Sequence, residues 1–350
     1  MSFKVRIAKA NRTIEVETGA TILWSALDQG VDYPFGCQSG NCGACKSHLV
    51  SGEVTMEGYS EFALSDEEKA RGLILACRAV PWEDCEVAWL EEDDLIVHPR
   101  RILACRVVGL DDATHDIKRV RLAIDSGGPF DFSAGQFASV TFAGCVPRDY
   151  SMANVPGDPI LEFHVRRSVG GTVSAYVAET LKLGDSVRVE GPFGPSYLRE
   201  SHRGPIIAVA GGSGLAPIKS IVERALAQKL PQHIHLYFGV RTERDLYLHD
   251  HFAALAAKHG TLHFTPVLSE ASNGSHRSGP YRTGLVHEAV AKDFDELDGC
   301  KAYLAGPPVM VEAATKLFEQ RGMRRIDIHA DAFYTAAEMA QAGKKTGAEL

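Results

Sequence analysis

The sequence predicts a multidomain chain: a small α+β unit of the β-grasp type, a closed antiparallel β-barrel, and an α/β unit built on a parallel sheet. Three observations carry this. Four thiols fall in a Cys-x4-Cys-x2-Cys run, Cys37, Cys42 and Cys45, followed at a distance by Cys77. After a charged boundary, short alternating strands follow one another at close spacing, the pattern of a barrel. From Pro205 onward apolar strands alternate with helical stretches, the pattern of a parallel sheet covered by helices. At 350 residues the chain is too long for one ordinary core.

The first domain is expected over residues 1–93. Phe3–Ala8 and Ile14–Glu17 alternate apolar and polar residues about a turn at Asn11-Arg12. Thr18 or Thr21 can cap a short helix, Ile22–Leu27, that stops before Gly30. Lys46–Val50 reads as a strand, Ser65-Asp66-Glu67-Glu68 as a helix start, and Leu73–Cys77 as a strand delivering the last thiol. Between helix and strand, the loop Gly36–Cys45 holds three thiols and three glycines, a composition poorly suited to packing. Its three-plus-one spacing is the plant-type [2Fe–2S] arrangement, in which thiolates bind iron and glycines let backbone N–H groups face the sulfurs. Zinc would favour two separated pairs of short spacing.

Residues 94–101 read as a linker, since Glu91–Asp94 is acidic and His98-Pro99-Arg100-Arg101 reverses the charge. The barrel is expected over 102–200, with strands Cys105–Leu110, Ile117–Ala123, Gln136–Phe142, Ile160–Val165 and Ser186–Glu190 and one helix, Thr172–Leu181. The parallel sheet is expected over 201–336. Its strands are Ile206–Ala210, His235–Phe238, Leu262–Leu268 and Ala302–Ala305, and its helices Ala216–Gln228, Leu246–His259, Val286–Ala291 and Val309–Glu319. Residues 337–350 have low hydrophobicity and read as a disordered tail.

Charge and composition narrow the function classes. The net charge is −8, and residues 1–95 carry 8 basic against 17 acidic side chains. The acidity therefore belongs to the thiol-bearing segment. It argues against nucleic acid and is compatible either with docking on a basic protein surface or with a merely solvated face. Apolar runs such as Ile206–Leu215 are short and broken by glycine, unlike a membrane span. The N-terminus alternates like a strand and has no export pattern, so a soluble cytoplasmic protein, monomeric and without membrane attachment, is expected. Cys85, Cys105, Cys145 and Cys300 are expected as buried or partly buried thiols.

The remaining motifs point to dinucleotides. Arg148-Asp149-Tyr150-Ser151 ends a strand; His164-Val165-Arg166-Arg167 follows on the next, then Gly170-Gly171-Thr172-Val173-Ser174 opens a helix. Each alone fits an ordinary strand end or turn. Together they supply a cation for phosphate, an aromatic face, a hydroxyl and a glycine-led helix N-terminus, the parts a flavin dinucleotide needs. Gly211-Gly212-Ser213-Gly214 lies between a strand and a helix, and Gly306-Pro307-Pro308 ends the fourth strand of the same sheet. Two such loops at the carboxyl edge of a parallel sheet flank the place where ligands bind in open α/β folds.

In this order the motifs resemble the electron-transfer reductases of the ferredoxin–NADP reductase superfamily. They are most similar to the reductase components of bacterial aromatic-ring-hydroxylating (Rieske-type) oxygenase systems of the naphthalene dioxygenase reductase type. Thr114-His115-Asp116-Ile117, Phe238-Gly239-Val240-Arg241 and Asp331-Ala332-Phe333-Tyr334 are supporting pieces, and the resemblance covers about residues 3–335. It implies FAD rather than FMN. It further implies that Arg148 meets the flavin phosphates, Tyr150 lies against the isoalloxazine, and Ser151 reaches flavin N5. His164, Val165 and Arg166 lie on the flavin strand, and Gly170, Gly171, Thr172 and Ser174 hold the pyrophosphate. Gly211, Gly212, Ser213 and Gly214, with Gly306 and Pro307, receive the nicotinamide dinucleotide, and Phe333 covers the flavin until nicotinamide displaces it. Ala305 stands where many relatives carry a cysteine near the nicotinamide. Arg241 and Arg244 would grip a 2′-phosphate, but Asp245 would repel one, and the pattern resembles NADH-preferring relatives. The implied activity passes electrons from NADH through FAD to the [2Fe–2S] cluster, and thence to an oxygenase component or a separate Rieske-type ferredoxin. The alternatives are service to a diiron monooxygenase or a cytochrome P450, or an iron–sulfur redox sensor without turnover.

Overall fold

The computed structural model describes residues 1–36, 38–41, 43–61, 63–90, 96–270 and 281–334. They divide into two compact units: the N-terminal segment together with 193–195 and Tyr334, and the stretch from Ile96 to Phe333 apart from 193–195.

In the first unit, β1 (Ser2–Ile7) and β2 (Arg12–Glu17) pair antiparallel about Asn11, whose φ is 48°. Their inward faces, Val5, Ile7, Ile14 and Val16, are fully buried, as the period-two pattern requires. Against them lies α1 (Ile22–Asp28), presenting Ile22, Leu23 and Ala26. Thr21 caps it by accepting the Trp24 N–H, whereas Thr18 bonds the Met1 carbonyl instead. The unit is completed by β3 (Lys46–Ser51), β4 (Val54–Met56), α2 (Asp66–Ala70), β5 (Leu73–Leu75), β6 (Ala79–Pro81) and β7 (Cys85–Trp89). The main sheet runs β2-β1-β7-β3-β5, with β1 and β7 parallel, and β4 pairs with β6 separately. The strand expected to reach Cys77 stops at Leu75, because the Arg78 N–H closes a turn on the Leu75 carbonyl. Strand β7, at the centre of the sheet, is masked in the sequence by its neighbours Glu83, Asp84 and Glu86.

The second unit begins with a six-stranded sheet: β8 (Arg101–Asp112), β9 (Ile117–Ser126), β10 (Phe137–Phe142), β11 (Arg148–Ser151), β12 (Ile160–Arg166) and β13 (Ser186–Phe193), with α3 (Thr172–Glu179) between the last two. The order is β11-β10-β13-β8-β9-β12, and a bridge between Met152 and Phe163 joins its two edges, so the sheet nearly closes on itself. Val107, Val120, Phe142, Phe163 and Val189 fill the interior.

The second sheet of this unit comprises β14 (Ile206–Gly211), β15 (Ile234–Val240), β16 (Leu262–Leu268), β17 (Arg282–Thr283), β18 (Lys301–Gly306) and β19 (Ile328–Ala332). Helices α4 (Leu215–Ala227), α5 (His249–Lys258), α6 (Val286–Asp293) and α7 (Pro308–Gln320) connect them. All strands are parallel, in the order β17-β16-β15-β14-β18-β19. The chain moves outward from β14 to β17 and returns to β18 on the other side. The order therefore reverses between β14 and β18, where open α/β sheets bind ligands. Helix α5 starts at His249, three residues later than expected from Leu246, because Thr242 and Asp245 cap one another and divert Arg241–Tyr247 into a tight turn. Among the described residues no helix is long and apolar enough to cross a membrane. The expected tail, 337–350, lies outside the described residues.

At the amino edge of this sheet, away from the loops, Lys301 and Asp327 are both buried and 2.8 Å apart, and Arg324 bonds the second carboxylate oxygen at 2.7 Å. Burial alone would raise the Asp327 pKa; the hydrogen bonds from Arg324 and Lys301 outweigh it and hold the carboxyl below its usual range. Removing that charge leaves a buried ammonium without its counter-ion. Asp327→Asn should cost about 3 kcal/mol in urea unfolding at neutral pH. The contribution is fully present above the unfolded carboxyl value near 4 and disappears as pH falls through the lowered value, so wild type and variant should converge in acid.

Candidate functional site

In the thiol loop, Cys37 and Cys42 lie outside the described residues. Cys45 and Cys77, 3% and 6% exposed, come together: the Cys77 N–H points at the Cys45 sulfur at 3.4 Å, and the Ala76 N–H donates to the Cys45 carbonyl at 3.1 Å. Gly40 and Gly43 have φ of 77° and 73°, and their missing side chains matter. A Cβ on Gly40 would sit 2.8 Å from the Tyr59 Cβ, and one on Gly43 would sit 3.2 Å from the Ala63 carbonyl oxygen. At these two glycines the loop packs closely on Gly58, Tyr59 and Ala63. Arg78, next to Cys77, ties the ends together by donating to the Ser39 carbonyl at 2.7 Å. Two buried thiols held adjacent, in a loop whose glycines cannot take side chains, suit an iron–sulfur cluster. The other thiols differ. Cys85 and Cys105 are buried, and burial raises their pKa values to about 11 and about 12, so they pack as small hydrophobes, as does buried Cys300. Cys145 is partly exposed.

On the barrel, β11 presents Arg148, exposed and donating to its own Pro147 carbonyl, then half-buried Tyr150 edge-on to Phe142, then buried Ser151. Burial raises the Tyr150 hydroxyl to about 12, so it stays neutral. The Ser151 hydroxyl donates to Asp331 Oδ2 at 3.2 Å, across 180 residues of sequence. On β12, Val165 is buried in the barrel core, and Arg166 extends to Asp116 Oδ2 at 2.8 Å. His164 is fully buried between Glu162 and Tyr247, with ring nitrogens 2.9 Å from each. The helix that follows begins openly. Gly170 has φ 72°, Gly171 provides no side-chain cap, Thr172 is exposed, and the Ser174 hydroxyl is turned back to the Gly171 carbonyl. First-turn N–H groups without a side-chain cap are where an anionic pyrophosphate is stabilised.

At the sheet's switch point two backbones touch. A Cβ on Gly214 would lie 2.1 Å from the Ala305 carbonyl oxygen, and one on Gly306 would lie 2.8 Å from that of Gly211. A Cβ on Gly212, whose φ is 54°, would lie 3.2 Å from an Arg166 guanidinium nitrogen, and Ser213 beside it is half-buried. Pro307 is exposed at the start of α7, and the Phe333 N–H donates to the Gly306 carbonyl at 2.9 Å. Across β18 and β19, Ala305 pairs with Asp331. Ser151, Arg166, Gly211–Gly214, Gly306 and Phe333 are thereby linked through successive contacts. Arg241 stands apart: it is exposed, with Glu270 3.8 Å away. Asp245 is fixed by the Thr242 N–H and hydroxyl at 2.9 and 2.8 Å.

Sequence reasoning gave no role to four participants, though it quoted Asp116 and Asp331 within motifs. Asp331 meets Ser151; the alternation Ile328-His329-Ala330-Asp331-Ala332 was its signal, a strand written too polar to read as one. Asp116 anchors Arg166. Tyr247 and Lys219 connect the second sheet to the barrel, Lys219 by donating to the Ala153 carbonyl at 2.9 Å.

Comparison with known proteins finds three family models along the chain. The family model of the 2Fe-2S iron-sulfur cluster binding domain matches residues 5–81, that of the oxidoreductase FAD-binding domain 104–197, and that of the oxidoreductase NAD-binding domain 208–316. The chain is 41% identical, over 93% of its length and 96% of the relative's, to the ferredoxin–NAD(P)+ reductase component of naphthalene 1,2-dioxygenase/salicylate 5-hydroxylase systems of a Ralstonia species. It is 39% identical, over 93% and 96%, to the naphthalene 1,2-dioxygenase system reductase component of Pseudomonas putida. Among solved structures, the Amycolatopsis cytochrome P450 reductase GcoB superposes with a TM-score of 0.76 at 37% identity, covering 95% of this chain and 99% of that one.

Arg78 is one side-chain tie of the thiol loop. Arg78→Met should release iron to a chelator about tenfold faster, followed as bleaching of the visible absorbance.

Proposed function

The chain belongs to the iron–sulfur flavoprotein reductase components of oxygenase systems, and on that premise we propose which of its residues carry the electron path and where the acceptor docks. It is an NADH-dependent oxidoreductase whose cofactors are a [2Fe–2S] cluster, FAD and NADH. It delivers electrons to an oxygenase or its ferredoxin. When bound, FAD accepts a hydride from NADH and the cluster takes up single electrons, so a two-electron donor is divided into one-electron deliveries.

The observation that carries the reading is the chain of contacts from Ser151 through Asp331 to the glycines of the switch point. Ser151 offers a hydroxyl where the flavin ring belongs, and Asp331 orients that hydroxyl. Phe333, anchored by its own N–H to Gly306, covers the ring face and yields to nicotinamide. The open turn at Gly170–Ser174 takes the flavin pyrophosphate, with Arg148 as the exposed cation and Tyr150 as the apolar wall. Arg166, neutralised by Asp116, borders both the flavin strand and Gly212. Gly211–Gly214 and the Gly306-Pro307 turn receive the nicotinamide dinucleotide. Glu243 and Asp245 occupy the turn after β15, on which Arg241 and Arg244 also lie; a fixed carboxylate there disfavours a 2′-phosphate and supports preference for NADH. Cys37, Cys42, Cys45 and Cys77 hold the cluster.

For the acceptor, two features of the first unit support docking beside Cys77. The Leu23 N–H donates to the Ala76 carbonyl, which brings the first turn of α1 against the Cys77 peptide, and the neighbouring Trp24 is 60% exposed. An exposed tryptophan on an acidic unit suits a partner with a basic rim around an apolar pocket. The relatives' names include a dioxygenase system and a P450 reductase, so the oxygenase class is chosen by the partner's surface.

Three measurements test this. Ser151→Ala should slow flavin reduction by NADH about 100-fold while flavin stays bound, followed by stopped-flow bleaching near 450 nm. Cys77→Ser should abolish cytochrome c reduction and spare NADH–ferricyanide activity; loss of both would refute separate electron exits. Trp24→Ala should lower the rate with the cognate oxygenase or ferredoxin about tenfold, with ferricyanide reduction unchanged.

A further inference from the structure

Between the barrel and the parallel sheet runs a buried polar seam that the electron path does not use. Glu162 Oε1 lies 2.9 Å from His164 Nε2, His164 Nδ1 lies 2.9 Å from the Tyr247 hydroxyl, and that hydroxyl lies 3.3 Å from the Gly212 carbonyl oxygen. Glu162 is flanked by Lys219 at 3.7 Å, and Lys219 also bonds Glu223 and the Ala153 carbonyl. Beside it, the Ser220 hydroxyl donates to the Asn154 carbonyl at 2.7 Å.

The three contacts from Glu162 to Gly212 need three protons, and a neutral His164 leaves only two. Burial alone would raise the Glu162 pKa, but its bond to His164 and the nearby Lys219 lower it to about 2, so it only accepts. His164 Nε2 must then carry the ring proton and Nδ1 must accept. The Tyr247 hydrogen therefore goes to His164, at the shorter distance, and the Gly212 carbonyl keeps the Leu215 N–H without it. A proton added at Nδ1 reverses one bond. Nδ1–H then donates to the Tyr247 oxygen, and the Tyr247 hydrogen turns to Gly212.

We propose that Tyr247 is a positioning residue whose single hydroxyl hydrogen is contested by His164 and the Gly212 carbonyl, so that protonation of His164 hands it to the Gly211–Gly214 loop and tightens NADH binding. The inference rests on the assignment of that loop to the nicotinamide dinucleotide. A carbonyl pinned by Tyr247 is held away from the anionic pyrophosphate, leaving the loop N–H groups to face it. The groups facing His164 are Glu162 on its own strand, Lys219 on α4, Arg119 on β9 and Tyr247 ahead of α5; Arg166 and Asp116 act on Tyr247. Burial, helped by Lys219 and Arg119, lowers the His164 pKa from its usual 6.5 against the opposing pull of Glu162. The transition therefore falls on the acid side of neutrality, and affinity rises as pH falls through it.

The test is the KM for NADH in ferricyanide reduction between pH 5 and pH 8. In wild type it should fall about threefold to fivefold toward acid, the contribution of one hydrogen bond, with little change in kcat. Tyr247→Phe should show a flat profile across the same range. A flat wild-type profile, or a Tyr247→Phe profile that still falls toward acid, overturns the proposal. A second readout needs no variant: by NMR of the wild-type holoenzyme, the Gly212 carbonyl-carbon shift should titrate with the same midpoint as the His164 ring nitrogens, and separate midpoints also overturn it. Gly212→Ala isolates the premise. If its KM for NADH equals that of wild type, the loop assignment fails; if KM rises while Tyr247→Phe keeps the wild-type slope, the loop stands and the proton exchange does not.

Discussion

Backbone packed on backbone at the switch point of the parallel sheet is the constraint from which the rest of the second unit follows. Gly214 lets α4 begin against the Ala305 carbonyl, and Gly306 lets β18 end against Gly211. Any side chain at either position would part β14 from β18. Because they stay together, the Gly306 carbonyl remains at the sheet edge to accept the Phe333 N–H, and β19 aligns Asp331 beside Ala305. Asp331 then meets Ser151 on the barrel. A steric allowance of one methyl group thus governs the position of a carboxylate two strands' length away.

The site's electrostatics show a second regularity: each buried or half-buried charge is matched before a ligand arrives. Arg166 has Asp116, Lys219 has Glu162 and Glu223, and Asp245 has the Thr242 N–H and hydroxyl. A prepaired cation binds anions less strongly than a naked one, but it costs little to keep in place when the site is empty. In the proposed site, backbone N–H groups and helix starts can therefore add to Arg148 in phosphate recognition, since they carry no counter-ion to displace.

Much of the fold was legible because the signals were periodic. Alternation gave β1, β2 and most barrel strands, and apolar runs bounded by glycine gave β14, β16 and β18 with errors of a residue or two at the ends. What escaped was written in polar residues. Strand β7 is preceded by two carboxylates, β19 alternates with His329 and Asp331, and the turn before α5 exchanges helix for a Thr242–Asp245 cap. The glycine loops were readable because glycine reports a backbone need directly. Tyr247 and Lys219 were not, since each acts across an interface between strands and helices distant in sequence, and single-sequence spacing carries no trace of such a meeting. Leu73–Leu75 stopping short of Cys77 belongs to the same class: a ladder would have turned the Cys77 N–H toward a neighbouring strand, where a turn offers it to sulfur.

The bond between Ser151 and Asp331 has a consequence for how this part of the molecule can change over evolutionary time or in the hands of an engineer. Barrel and sheet are separate in sequence, yet Ser151 and Asp331, the pair proposed to meet the flavin ring, are divided between them, and Lys219 and Ser220 reach over to Ala153 and Asn154 at the same border. Recombination at the junction near residue 200 would bring together a hydroxyl and a carboxylate from different ancestors. The unit that can be exchanged with its chemistry intact is therefore the two sheets taken together, and its natural cut point lies ahead of β8.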